Sequence, residues 1–362
     1  MSILLFILIL LVLVLVHELG HFAIAKLAKI RVDEFAFGFP PRLFAKKFGE
    51  TTYAFNLLPL GGYVKIYGED PNEVKHEDAA RSFSAQPRLV QAAVIVAGVI
   101  MNIVLAWVLI SATLAIGIAA PVDNDEGFPV TNARLMITEV SAKGPAEISG
   151  IVGGDYLISL ADGADTVLAS SPEIVSAFVG PREAKPITVT YEHEGVTKKS
   201  TMLPVSGISQ KGAAIGIYMD MVGMLKLPID QALYHGAIKT WQYTRLTAVG
   251  IWTFLSEAVT GHANFNEVTG PVGIVKAVGA ASAVGFSNVL LFTALISINL
   301  AIINIIPFPA LDGGRLLFIT IEGIMRRAIP TRITNYVNIS GFALLMLLML
   351  LVTYHDIAKL VH

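Results

Sequence analysis

Two histidines four residues apart flank an acid in the pentapeptide His17-Glu18-Leu19-Gly20-His21. On a helix, positions i and i+4 share a face, so both imidazoles can reach one metal ion. Glu18 then stands beside the metal and can take a proton from a bound water. The plain alternative is a pair of helix histidines next to a surface acid. Position argues against it, because the pentapeptide closes the segment 2–16, SILLFILILLVLVLV, which carries no charge. An ionisable group at such depth costs about 2.5–3.5 kcal/mol on insertion scales, so three together need a partner, and a divalent metal is the natural one.

Two histidines leave a zinc site short, since catalytic zinc usually takes three protein ligands and a water. The chain has no cysteine, so the third ligand is an acid or a distant histidine. His76, His193, His235, His262, His355 and His362 lie in polar or terminal contexts and read as ordinary surface histidines. Asp312 is the better candidate. It ends the charge-free run 277–311 within Asn304-Ile-Ile-Pro-Phe-Pro-Ala-Leu-Asp312-Gly-Gly314. Two prolines break a helix there, and two glycines let the chain turn tightly. A helix-terminus acid at the membrane surface is the competing reading.

The elements that position these residues are apolar helices. Of 362 residues, 54% are hydrophobic and 15% charged, whereas soluble domains carry about 25% charged residues. A net charge of −2 with no basic run gives no footprint for nucleic acid. No Lys or Arg precedes the first apolar run and no small-residue cleavage site follows it, so it reads as a retained span. Four spans are expected, within residues 1–30, 89–120, 284–311 and 335–355. Residues 31–88 read as a membrane-associated β-hairpin region punctuated by Pro-Pro and Gly-Gly. Residues 121–227 read as a soluble α+β domain with strands LMITEV, YLISLA and ITVTYEHEG and a helix PEIVSAFV. Residues 228–283 read as amphipathic surface helices and a GPVGI loop, because Asp230, Lys239, Arg245 and Glu257 interrupt the apolar pattern. Residues 312–334 read as a loop whose Arg315, Arg326, Arg327 and Arg332 face a single acid after Asp312, Glu322, and the positive-inside rule makes that loop cytoplasmic.

HELGH near the end of a first span and NIIPFPALDGG at the end of a later one resemble the site-2 protease family of intramembrane zinc metalloproteases. The bacterial RseP-type branch is the nearest likeness, and it covers most of the chain. GFPPRLF and LLPLGGYVKIYGED resemble that family's membrane-associated hairpin region. Gly98 through Asn102 matches its second-span motif, with Val99 where a proline is usual. The resemblance implies a Zn2+ cofactor held by His17, His21 and Asp312, with Glu18 as catalytic base. Asn304, and also Asn299, fall where the family has asparagines near the active centre. An amide donor at Asn304 would stabilise the tetrahedral oxyanion, and hydrogen bonding between helices is its structural alternative. Residues 144–158, GPAEISGIVGGDYLI, resemble a single PDZ domain of the bacterial protease type, whose partner would be a peptide.

The expected protein is therefore a polytopic α-helical membrane protein with four transmembrane helices, a membrane-associated β-hairpin region and an inserted α+β PDZ domain. The resemblance implies a metalloendopeptidase of the bacterial cytoplasmic (inner) membrane with the PDZ domain extracytoplasmic. Implied partners are the lipid bilayer and single-span transmembrane substrates such as anti-sigma factors or remnant signal peptides. A catalytically silent PDZ scaffold or a metal transporter is the other reading. Retention of Glu18 argues against the scaffold, and the second span, like the fourth up to His355 at its end, offers no further acids or histidines for a transport path.

Overall fold

The structure, a computed structural model, describes residues 2–69, 76–123, 128–193, 195–209, 212–262 and 268–361. His362, one of the histidines set aside above, lies outside them, as do Asp70 and Glu194 of the strand-like stretches. The chain divides into two compact units, Met1–Thr113 with Ile229–His362, and Leu114–Pro228.

The first unit begins with α1 (Ser2–Leu27), β1 (Val32–Phe48), β2 (Thr51–Ile66), a short 3-10 helix (His76–Arg81) and α2 (Arg88–Ile116). The second contains β3 (Ile118–Pro121), β4 (Thr131–Val140), α3 (Pro145–Ile148), β5 (Tyr156–Ala161), β6 (Thr166–Leu168) and α4 (Pro172–Val179). It continues through β7 (Ile187–His193), β8 (Val196–Met202), β9 (Val205–Ser209), β10 (Gly212–Ala214) and β11 (Ile217–Leu225). The first unit resumes with α5 (Ile229–Thr260), α6 (Pro271–Val284), α7 (Phe286–Ile305), α8 (Asp312–Met325) and α9 (Thr331–Val361).

Among the described residues, four helices are long and apolar enough to cross a membrane: Ser2–Leu27, Arg88–Ile116, Phe286–Ile305 and Thr331–Lys359. The 20 residues of α7 give about 30 Å of helix, one hydrocarbon thickness. The 32-residue α5 is longer but not among the four, because its charges lower its hydropathy.

Two segments depart from expectation. GPVGI is not a loop: Gly270 is an N-cap, Pro271 takes the first helical position, and α6 runs on from there. α6 packs on α1 through Val278, which is fully buried against Ile9 and Leu13, while Pro271, Lys276 and Ala280 are exposed. Its free N-terminal N–H groups are satisfied from α9, where buried Asp356 accepts from Gly270 N (3.2 Å) and Gly273 N (2.8 Å). The 312–334 segment likewise holds a helix, α8, whose strong amphipathicity follows from spacing its apolar residues at helical period.

The hairpin folds back on itself. Residues 34–37 of β1 stand opposite Lys65, Val64, Tyr63 and Gly62 on one side, and opposite Thr52, Tyr53, Ala54 and Phe55 on the other. The same 52–55 stretch also meets Phe44–Lys47. Residues 62–66 thus form an outer segment, with no second strand partner among the described residues. Beyond residue 38 the tip of β1 is exposed, displaying Phe39, Leu43, Phe44 and Phe48 between Arg42, Lys46 and Lys47.

The second unit is a sheet in the order β3-β11-β4-β5-β7-β8 with α4 packed on its inner face. Alternation along β4 and β7 sends Leu135, Ile137, Ile187 and Val189 into one core with Val175 and Phe178 of α4, and a register shift between Leu157 and Ser159 of β5 brings Leu157 and Leu160 to the same core. Ser171 caps α4 by accepting from Ile174 N.

Candidate metal centre

His17 and His21 sit one turn apart near the C-terminal end of α1, both under a tenth exposed. Asp312 arrives as the first residue of α8. Pro307 and Pro309 end α7, and the chain doubles back so tightly that a Cβ on Gly313 would overlap the Ile305 and Ile306 carbonyls. Only glycine fits there, and that close approach delivers the Asp312 carboxylate to the histidines.

The three side chains converge on one point. Asp312 Oδ2 is 3.0 Å from His17 Nε2 and 3.3 Å from His21 Nε2, and the two Nε2 atoms are 3.2 Å apart. Ligands about 2.0–2.1 Å from a tetrahedral zinc are separated by roughly 3.3 Å, so the donor set fits that ion. No other group of three or more histidines and acids with metal-ligand spacing occurs among the described residues.

The surroundings fix the rings for this task. His21 Nδ1–H donates to the Val94 carbonyl at 2.8 Å, which leaves Nε2 as the free lone pair. His17 Nδ1 lies 3.2 Å from the Asn102 amide nitrogen, while Asn102 Oδ1 is buried without a partner. Turning that amide over lets Oδ1 accept from His17 Nδ1–H, satisfies the orphaned oxygen and again frees Nε2. Asn102 is in turn tied to α7, since Ser297 Oγ donates to its carbonyl at 2.8 Å. The approach of α2 depends on Gly98, where a Cβ would sit 2.5 Å from His21 Nε2 and 2.8 Å from His17 Cε1.

A cavity of about 220 Å³ opens on the cluster, and Glu18 lines it together with Tyr63, Val64 and Ile66 of β2. Arg315 and Glu69 line it as well, and they pair with each other. Asn304 is half-buried on α7 and is not part of the cavity wall. Asn299 is exposed and donates to the Leu295 carbonyl of its own helix. The structure thus joins His17, Glu18, His21 and Asp312 and leaves Asn304 apart. Asn102 and Arg315 are the residues that sequence reasoning did not place at the site. Four-residue spacing from Gly98 was the available signal for the first, and three-residue spacing from Asp312 for the second.

The profile of peptidase family M50 matches residues 5–348. A provisionally named zinc metalloprotease of Clostridium perfringens is 36% identical over 347 residues, covering 95% of each chain. The regulator of sigma-W protease RasP of Bacillus subtilis is 30% identical over 425 residues, covering 96% of each chain. Among solved structures, the PDZ domain of the SdrC-like protein of Listeria monocytogenes covers 25% of this chain and 90% of its own at 20% identity, with a TM-score of 0.21, too slight to carry an argument. A family match of this length, on a chain with four membrane-length helices and three side chains spaced to hold a metal ion, shows that the protein belongs to peptidase family M50 and is a membrane-embedded zinc metalloendopeptidase.

Proposed function

We propose that the chain cuts peptide bonds inside transmembrane segments of single-span membrane proteins, with His17, His21 and Asp312 holding the zinc and Glu18 as base. The observation that carries this reading is the set of three donor atoms 3.0–3.3 Å apart beside Glu18 at the end of a charge-free span. Zinc, when bound, lowers the pKa of a water toward ~7 and polarises a carbonyl. Glu18 takes the proton of the attacking water and passes it to the leaving amine as the C–N bond breaks.

A transmembrane helix hides its carbonyls in internal hydrogen bonds, so a substrate must unwind before it is cut. The outer segment 62–66 of the hairpin supports a way to hold the unwound stretch. That segment can pair with an extended peptide, and Tyr63, Val64 and Ile66 border the cavity beside Glu18. Substrates of this kind include anti-sigma factors trimmed by another protease and remnant signal peptides. The name of the Bacillus subtilis relative, regulator of sigma-W protease, favours the first. The 121–227 unit is read as a PDZ-like module that binds or screens peptides.

The decisive assay incubates detergent-purified protein with a single-span model substrate, with and without a zinc chelator. Glu18→Gln should keep its zinc and lose cleavage, because it removes the base and not a ligand. Substantial residual hydrolysis would remove Glu18 from that role. For orientation, the arginines of 312–334 favour the cytoplasmic side and place 121–227 outside. A single cysteine at Asp165 should react with an impermeant reagent on intact cells and one at Arg327 should not; the reverse pattern inverts the topology.

A further inference from the structure

Arg315 has no chemical part in the reading above, yet its place in the fold demands one. It stands three residues after Asp312 on α8, so both side chains leave the same face of that helix. That face borders the cavity, and Arg315 is the one lysine or arginine in its wall. Three carboxylates share the wall, those of Glu18, Glu69 and Asp312. A divalent ion together with Arg315 balances them. Arg315 Nη2 pairs with Glu69, which follows β2, and no other acceptor for the guanidinium is found among the described residues. A guanidinium carries five N–H donors in a rigid fork, so one carboxylate cannot occupy them all.

We propose that Arg315 is the electrophilic residue of the reaction: held by Glu69, its guanidinium binds the carbonyl oxygen of the peptide bond being cut and stabilises the negative charge that develops there. This inference rests on the zinc-site reading of His17, Glu18, His21 and Asp312. In the step concerned, the oxygen of water adds to the carbonyl carbon and Glu18 takes its proton. The C–N bond then breaks, the proton goes to the amine, and the negative charge on the carbonyl oxygen exists only in between. A fixed cation aimed at that oxygen acts in the transition state more than in the ground state, which is where a donor accelerates the reaction. The family-derived candidate for the same duty, Asn304, does not line the cavity. Glu69 is a positioning residue, because it acts through Arg315.

The test uses full-length R315Q, R315K, E69Q and the E69Q/R315Q double variant, with zinc content, kcat and KM measured on the single-span substrate. R315Q is expected to lower kcat by about 10²-fold or more with little change in KM, and with zinc bound as in the unsubstituted protein. E69Q is expected to cost less than R315Q, since it loosens the donor without removing it. Should R315Q fail to fold, R315K carries the test, with an expected loss of about tenfold in kcat because lysine keeps the charge and loses the fork. Unchanged kcat in the folded arginine variants overturns the proposal. So do equal losses in R315Q and E69Q with no further loss in the double variant, which would make Arg315 a mere anchor for the strand. Failure of the zinc-site reading looks different: the protein would then bind no zinc at His17, His21 and Asp312, or E18Q would still cleave.

Discussion

The two units of the chain bury different things. The 114–228 unit closes over large aliphatic side chains, with Leu135, Ile137, Leu160, Ile187 and Val189 all at 1% exposure or less. The helical unit buries small and polar groups: Asn102, Ser297 and Thr113 are as hidden as any leucine, and so are Ala25, Ala106, Ala294 and Ala301. Many of its large apolar residues point outward, along α9 most of all, where Leu344, Leu347, Leu350 and Leu351 are exposed, although Leu13, Ile95 and Ile298 are buried. Water drives the first pattern, since removing apolar area from it is the main favourable term of folding. Lipid cannot drive the second, because hydrocarbon solvates leucine as well as a protein core does. Helices there meet through close approach and hydrogen bonds, and the metal centre uses the same means, with Gly98 for proximity and Asn102 for orientation.

That contrast can be broken or sharpened by substitution. The largest effect is expected in the water-folded unit. Leu160→Ala should destabilise it by about 2–5 kcal/mol, lowering hydrogen-exchange protection in β5 and β7. Zinc content and cleavage of a short model substrate should stay unchanged, and a loss of zinc in this variant would couple the two units. Next, Gly98→Val should weaken zinc binding about 10–100-fold, because the added Cβ displaces both histidines; full zinc occupancy at limiting metal would show that α2 can move aside. The smallest effect is expected at Ser297→Ala, about 0.6 kcal/mol, the average for a hydrogen bond between membrane helices. Thermal unfolding in detergent measures it, and a shift as large as that of Leu160→Ala would abolish the distinction between the two kinds of core.

Much of the site was legible because metal ligation restricts residue types. HELGH and Asp312 declare themselves by carrying charge where the flanking chain has none. Strands β4 and β7 and helix α4 were legible for a different reason, since alternation and helical period follow directly from burial on one face. Arg315 was not legible, because beside Arg326, Arg327 and Arg332 it reads as one more cytoplasmic charge. Only the folding of 312–325 into a helix turns it toward Asp312. α6 was obscured by its glycines: Gly270, Pro271 and Gly273 look like a turn until Asp356, 83 residues beyond Gly273, supplies the cap. Asn102 stood out only as part of a second-span motif, and its contact with His17 spans 85 residues. Local pattern cannot show partners at such separations.

The longest of these separations also sets a schedule. His17 and Asp312 are 295 residues apart, and at roughly 5–20 residues per second a ribosome needs about 15–60 s to make the chain between them. Throughout that interval the histidine pair is already in the bilayer, next to whatever other segments are being inserted, without its third ligand. With the proposed ligand set, the protein therefore passes through its own membrane insertion as an inert helix, and its peptidase centre is complete only once most of its own segments have been laid down.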